Sequence, residues 1–260
     1  MRGGKWVVLI AGSTGRNWPA SFDHLVSNAA EPGRRGGLIY IIDSYPNDGS
    51  RGFMQAITND TTRAGFFPAT AMPDSDWWQA LWPQPQQVLA ALGIRPDMKV
   101  VDLCCGDGLF TAPLALLVRH VTAIDIDPNI LAVTRTKIAA TGATNCDLIE
   151  GDAYAVAELV RRAVDFVVMA NTFHGVPDKA RLARGVAAIL KPGGRFAIIN
   201  WHHRPRDETT VLGKPRGPKT EMRMTPSDVA AEVETANLKL VDVIELPPYH
   251  YGAIFENPVH

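Results

Sequence analysis

Val100-Val101-Asp102-Leu103-Cys104-Cys105-Gly106-Asp107-Gly108-Leu109-Phe110 is the stretch around which the chain is organised. It reads as a buried strand over 100–103, a tight turn carrying Gly106 and Gly108, and then a helix. Glycine admits positive φ and lets a ligand come close to the main chain. A strand-to-helix turn also aims free backbone N–H groups outward, and so can seat a nucleotide-like ligand.

Beyond this turn the pattern is regular. An apolar helix over 111–119 tolerates Pro113 only in its first turn. A second apolar run at 121–126 ends in Asp125-Ile126-Asp127-Pro128. There Asp127 is a good N-cap with Pro128 at the first helical position, and Gly142 closes that helix. A third strand over 146–149 leads to Glu150-Gly151-Asp152-Ala153 and a helix over 154–162. The fourth strand, 165–170, is almost wholly apolar, as a strand buried on both faces should be. A helix over 178–190 follows, is stopped by Lys191-Pro192-Gly193-Gly194, and gives way to a fifth strand at 195–201. Strands alternating with helices predict a parallel sheet covered on both faces, with ligands outside the carboxyl ends of the strands. Residues 104–108, Asp125, Asp152, 171–174 and 201–203 therefore carry the interest.

The tail breaks the rhythm. Residues 202–224 read as a solvated basic loop, with a cover for an acidic substrate as the other reading. Thr225-Pro226-Ser227-Asp228 starts a helix with a near capping box. Strands at 238–246 and 251–255 are joined too closely for a parallel crossover and should pair antiparallel. Ahead of the core, 6–11 and 38–42 are short strands, 12–15 and 33–37 a turn and a loop, and 46–73 shows no sustained period. The expected organisation is thus an irregular N-terminal extension over 1–85, serving as a lid, and a catalytic domain over 86–260. At their junction, Trp77, Trp78 and Trp82 either pack on the core from a short helix or line a substrate pocket.

Composition limits the partners. There are 26 Lys and Arg against 27 Asp and Glu, so no global charge attracts nucleic acid or an anionic membrane. Three cysteines give neither a disulfide framework nor a zinc spacing and suit a reducing, cytoplasmic setting. The N-terminal apolar run is too short for a signal peptide, and no stretch reaches the roughly 20 apolar residues of a membrane span. A soluble protein is expected; its oligomeric state is not readable.

The turn separates two adenosine ligands. Asp125 stands where a carboxylate would accept ribose hydroxyls from either a dinucleotide or S-adenosylmethionine (SAM). The dinucleotide fingerprint Gly-x-Gly-x-x-Gly is broken at Thr111, and Asp107 would repel a pyrophosphate while suiting a sulfonium cation. SAM fits better than NAD(P).

The segment 101–108 resembles the first motif of class I SAM-dependent methyltransferases (a methyltransferase type 11/25-like domain). Ile124-Asp125-Ile126-Asp127-Pro128 resembles their ribose-binding segment and Glu150-Gly151-Asp152-Ala153 their adenine-contacting one. Residues 165–174 and 190–195 resemble the fourth- and fifth-strand blocks. The resemblance covers about 86–256. It implies a Rossmann-like α/β fold: a seven-stranded, mostly parallel sheet with an antiparallel C-terminal hairpin and helices on both faces. Cys104 replaces a family glycine, which is tolerable if its φ stays negative.

The resemblance further implies that Asp102 and the backbone from Cys104 through Gly106 to Gly108 hold the methionine part of SAM. Asp125, beside Ile126, would take the ribose hydroxyls. Asp152 and Ala153 would take the adenine, and Asn171 would lie beside the methionine moiety; helix capping is the other reading of Asp125 and Asp152. Methyl transfer is an in-line displacement that needs a base only if the acceptor must lose a proton. His174 is the candidate base, with a backbone-bonded histidine as the alternative. Trp78, Trp82, His202, Tyr249 and His250 are candidates for a small-molecule acceptor pocket. His174, His202, His203 and His250 lack ligand spacing, so no metal is expected. The leading expectation is a small-molecule methyltransferase; an NAD(P)-dependent oxidoreductase and a non-catalytic SAM-binding protein are the alternatives.

Overall fold

The structure, a computed structural model, describes strands Trp6–Ile10 and Gly37–Ile41 by their backbone and residues 65–259 with side chains. The chain divides into two compact units, Met1–Asp60 and Thr61–His260. In the first, β1 (Trp6–Ile10) and β2 (Gly37–Ile41) pair in parallel, Trp6 opposite Gly37 and Ile10 opposite Ile41. The turn expected at 12–15, the loop at 33–36 and most of the aperiodic stretch from 46 lie outside the described residues.

The second unit holds a seven-stranded sheet built from β3 (Lys99–Leu103), β4 (His120–Asp125), β5 (Cys146–Glu150), β6 (Val164–Ala170), β7 (Leu190–Trp201), β10 (Lys239–Leu246) and β11 (His250–Glu256). Their spatial order is β10-β11-β7-β6-β3-β4-β5. The first five strands run parallel, and β11 joins β7 antiparallel with His250 opposite Trp201. The order reverses between β3 and β6, the switch point outside whose carboxyl edge sheets of this kind bind ligands. The antiparallel hairpin brings His250 to that same edge.

Side chains alternate between two apolar layers, as the period of 2 requires. Val101, Leu103, Val167, Met169, Phe196, Ile198, Tyr251 and Phe255 face α5 (Val156–Leu159), α6 (Lys179–Ile189) and α7 (Pro226–Val233). Val100, Phe166, Val168, Ile199, Trp201 and Ile254 face α1 (Ser75–Leu81), α2 (Pro85–Ala91) and α3 (Thr111–Leu117). Trp77, Trp78 and Trp82 are all buried in this second layer. The packing reading of the tryptophan patch therefore holds, and the cation over Trp77 is the chain's own Arg216, 4.9 Å from the ring.

The expected caps are present. Asp127 accepts from Asn129 N–H at the start of α4 (Pro128–Thr141), and Gly142 ends it at φ 75°. Thr225 and Asp228 form a full capping box. Three expectations change. The helix expected over 154–162 is a 3₁₀ turn, Ala153–Ala155, and the short α5, because Asp152 caps Tyr154 N–H tightly at 2.9 Å. The expected stop at Lys191-Pro192-Gly193-Gly194 lies inside β7 as a bulge: Val164 pairs with Leu190 and Phe166 with Arg195. Asn257 staples that bulge, donating to Leu190 O and exchanging backbone bonds with Gly193 and Gly194. Finally, the basic loop after β7 is not simply solvated. It forms a small hairpin, β8 (Thr210–Val211) with β9 (Lys214–Pro215), around the buried Arg223.

Phe196 lies fully buried in the middle of the α6–α7 layer, whereas Leu116 on α3 is exposed. Phe196→Ala should lower stability by about 3 kcal/mol and Leu116→Ala by less than about 0.5 kcal/mol, read as urea-midpoint shifts at constant m-value.

Candidate active site

Asp102 lies next to last in β3, 2 % exposed, and its carboxylate accepts from Thr111 Oγ1 at 2.6 Å. Burial pushes its pKa up to about 7; the Thr111 hydroxyl opposes the shift, and the Asp125 and Asp107 carboxylates add to it. Thr111, the residue that breaks the dinucleotide fingerprint, thus has a defined partner.

Cys104 adopts φ 59°, not the negative value expected. The chain must reverse here so that Cys105 N–H can reach Ile124 O at 3.0 Å, and a left-handed residue makes that reversal. For a non-glycine residue this costs about 1 kcal/mol. Burial foremost raises the thiol's pKa, with Asp125, Asp102 and Asp152 adding to the effect, so Cys104 is an inert thiol.

Gly106 and Gly108 take φ 56° and 79°, and a Cβ at Gly108 would stand 2.7 Å from Thr134 Cγ2. Thr134 Oγ1 in turn donates to Gly106 O at 2.7 Å. The acidic character attributed to the turn is weaker than the sequence suggests. Asp107 is paired with Lys137 of α4 and accepts from Leu109 N–H, so its charge is largely balanced.

At the end of β4 the Asp125 carboxylate accepts from Gly106 N–H at 2.9 Å and from Asp127 N–H at 3.0 Å. Burial raises its pKa against these two donors. Ile126 follows it, against Gly65, where a Cβ would meet Ile126 Cδ1 at 2.7 Å. At the end of β5, Asp152 caps the 3₁₀ turn beginning at the buried Ala153. The capping reading of Asp152 is therefore realised in this structure, through one carboxylate oxygen.

The ends of β6, β7 and β11 carry a different chemistry. Asn171, at φ 58°, closes β6 with both amide atoms sealed from solvent and without partners. His174 sits in the 3₁₀ turn Phe173–Gly175 with Nε2 facing Ala69 O at 3.4 Å and Nδ1 buried and unpartnered. A carbonyl only accepts, so Nε2 carries the hydrogen and Nδ1 the lone pair. Burial lowers the pKa of His174, and the cations of Lys179 and Arg223 push in the same direction.

His250 is 1 % exposed, lies 4.5 Å from the Trp82 ring and 4.2 Å from the Trp201 ring, and has no partner for either nitrogen. Burial holds it well below the usual histidine range, so it is neutral. Tyr249 stacks on Trp201 at 6.1 Å and donates to Thr210 O. Trp82, Tyr249 and His250 thus gather round Trp201. Trp78 stands behind Trp82, and His202 turns towards Glu245, 2.9 Å away. Arg223 lies over the Trp201 ring at 5.1 Å and donates to Arg204 O, Arg216 O, Pro218 O and Thr209 Oγ1. No carboxylate pairs with it among the described residues.

Asn200, next to last in β7, was not singled out in the sequence because it stands near the end of an apolar strand, whereas its neighbour Trp201 was, as the first of 201–203. Asn200 is 1 % exposed and has no partner for either amide atom. Among the described residues, no three His, Cys, Asp or Glu side chains gather as a metal set.

Residues 65–73 form a strap across this edge. Phe67 packs on Tyr154, with ring centroids 5.4 Å apart, after β5. Pro68 O and Thr70 lie so close to Gly175 after β6 that a Cβ there would meet them at 2.2 and 2.6 Å. Met72 Sδ would meet a Cβ at Gly106 at 3.0 Å. Gly65, Phe67, Ala69 and Met72 therefore touch the loops after β4, β5, β6 and β3 in turn.

The comparisons with known proteins agree with this architecture. A family model described as a methyltransferase domain matches residues 100–194. The ubiquinone biosynthesis O-methyltransferase of Xanthomonas campestris pv. campestris (strain B100) is 30 % identical over 185 residues, 64 % of this chain and 77 % of that one. The demethylmenaquinone methyltransferase of Staphylococcus aureus (strain MRSA252) is 33 % identical over 117 residues, 44 % of this chain and 47 % of its own length. The crystal structure of a SAM-dependent methyltransferase from Aquifex aeolicus shares the fold, with a TM-score of 0.59 at 23 % identity over 70 % of this chain and 93 % of that one. With the strand order, the glycine turn and the two following carboxylates, these matches show that the chain belongs to the class I SAM-dependent methyltransferases.

Proposed function

We propose that this methyltransferase holds SAM over the ends of β3, β4 and β5 and methylates a small, ring-shaped acceptor of quinone or phenol type over the ends of β6, β7 and β11. The observation that carries the reading is the set of buried polar atoms without partners in Asn171, His174, Asn200, His250 and Trp82 Nε1. Each such group weakens the fold by about 1–3 kcal/mol unless something bonds it, and a bound ligand would. The ring class of acceptor rests on the names of the two relatives. Near-balanced charge and three free cysteines support a small-molecule reaction in the cytoplasm.

The residues fit the donor. Gly106 and Gly108 leave the turn open to close approach, Asp102 would face the ammonium end, and Cys104 contributes its backbone. Asp125, beside Ile126, is held by two N–H donors in a pose that would accept ribose hydroxyls. Asp152 and Ala153 would meet the adenine, and the orphaned amide of Asn171 would bond the methionine end. SAM supplies an electrophilic methyl group on a sulfonium. The chain's own part is to align, to exclude water and to remove a proton. His174 Nδ1, with its lone pair free, would receive that proton. The strap over 65–73 would act as the lid: Met72 lies on the turn that holds the donor and must give way when it enters.

Asp125→Ala should weaken binding of S-adenosylhomocysteine about a hundredfold by calorimetry, the loss of two charge-assisted bonds; unchanged affinity would mean the ribose lies elsewhere. Asp102 titrates near 7 and is protonated below that, so S-adenosylhomocysteine affinity should fall as the pH drops from 8 to 6, and Asp102→Asn should flatten the dependence. A Cβ at Gly175 displaces the strap, so Gly175→Ala should speed cofactor association in stopped-flow and increase proteolysis near 65–73. A lid that closes elsewhere would leave both unchanged.

A further inference from the structure

Asn200 is an anomaly in a core strand. Its neighbours along β7, Ile198, Ile199 and Trp201, are apolar and buried, and a leucine would fill its place without stranding polar atoms. It lies opposite Tyr251 in the β7–β11 ladder, and on the same face as the α6–α7 layer. His174 and the Tyr251 hydroxyl flank its carboxamide, yet no well-directed hydrogen bond forms with either. Tyr251 Oη donates instead to Met224 O at 2.9 Å. His174 spends Nε2 on Ala69 O. Two sealed groups of complementary chemistry are therefore left side by side: the Asn200 amide, a donor and an acceptor, and His174 Nδ1, an acceptor.

We propose that Asn200 and His174 Nδ1 form a two-point site for a hydroxyl group of the acceptor, which makes oxygen the atom methylated. This rests on the methyltransferase reading above and narrows it. The Asn200 Nδ2–H donates to the acceptor oxygen, while the hydroxyl hydrogen points at His174 Nδ1. As the oxygen attacks, the O–CH₃ bond forms and the S–CH₃ bond breaks. The bonding pair leaves with sulfur as S-adenosylhomocysteine, and the hydroxyl proton passes to His174. Burial foremost favours the neutral form of His174; the Ala69 carbonyl and the Asn200 side chain oppose it, while Lys179, whose Nζ donates to Val176 O, and Arg223 add to it, and the nearby His250 is itself neutral. A carbon or nitrogen acceptor would not use both points.

The site predicts a combination that a purely structural asparagine would not give. Asn200→Leu should raise the urea midpoint, because it removes stranded polar atoms, and leave S-adenosylhomocysteine affinity within about twofold. It should reduce methyl transfer from labelled SAM to hydroxybenzene probes, phenol and catechol, at least a hundredfold. Asn200→Asp should place a carboxylate beside His174 and move its titration, followed by imidazole NMR in the S-adenosylhomocysteine complex, upward by more than one pH unit. A lower urea midpoint for Asn200→Leu, unchanged transfer, or an unmoved His174 titration would overturn the assignment. So would failure of the unaltered protein to methylate either probe while still binding S-adenosylhomocysteine. Failure to bind S-adenosylhomocysteine at all would instead overturn the reading of the donor site.

Discussion

One bond ties the donor half of the edge together: Gly106 N–H to the Asp125 carboxylate, at 2.9 Å. It joins the turn after β3 to the end of β4, so the backbone proposed to hold the methionine end and the carboxylate proposed to hold the ribose cannot move independently. Thr134 from α4 holds the other side of Gly106 through its carbonyl, and Asp127 N–H fixes the second Asp125 oxygen. Removing the Asp125 side chain would therefore loosen the turn as well as remove the proposed ribose contact. The same coupling explains why Cys104 keeps a left-handed backbone: the reversal that delivers Gly106 to Asp125 begins there.

The sequence announced those features that depend on neighbours a few positions apart. Asp127, Pro128 and Gly142 bound α4 because caps are local, and the capping box at Thr225 is local too. Buried strands were legible from runs such as 165–170 because a parallel sheet buries both faces. Features set by distant partners were not legible. Lys137 neutralises Asp107 from 30 positions away. Asn257 turns Lys191-Pro192-Gly193-Gly194 into a bulge within β7 from more than 60 positions away. The strap has no period because nothing repeats along it; each of its contacts is with a different loop. Asn200 gave no signal at all, since a single polar residue at the end of an apolar strand reads as an ordinary strand end.

The residues expected from the family motifs sit on the turn and strand ends that carry those motifs, positions that local sequence fixes. The residues expected to line an acceptor pocket came from an aromatic patch (Trp78, Trp82), from the end of the fifth strand (His202) and from the final hairpin (Tyr249, His250), and the structure scatters them. His250 and Trp82 meet in one aromatic box, whereas His202 pairs with Glu245. Whether a side chain after a strand turns inward depends on which face its register gives it, and that register is decided across the sheet. Here the antiparallel pairing of β11 with β7 does so, by setting His250 beside Trp201 and Tyr251 beside Asn200 on opposite faces.

The edge is electrically divided. The ends of β3, β4 and β5 present Asp102, Asp125 and Asp152, with Asp107 balanced by Lys137. The ends of β6, β7 and β11 present Asn171, Asn200 and two neutral histidines, under the uncompensated cation of Arg223. A cation is favoured on the first side and a neutral or negative group on the second, so a sulfonium donor and an oxygen acceptor would be drawn to opposite sides of the switch point between β3 and β6. Arg223 makes this work without touching a ligand. Its donors are bound to carbonyls and a hydroxyl, so its charge stays in place over Trp201 and adds a small push towards the neutral forms of His174 and His250. Burial is the larger influence on both histidines, and the buried guanidinium adds to it. A carboxylate partner for Arg223 would cancel that addition, which gives a physical reason for the fold to hold an arginine there on neutral acceptors alone.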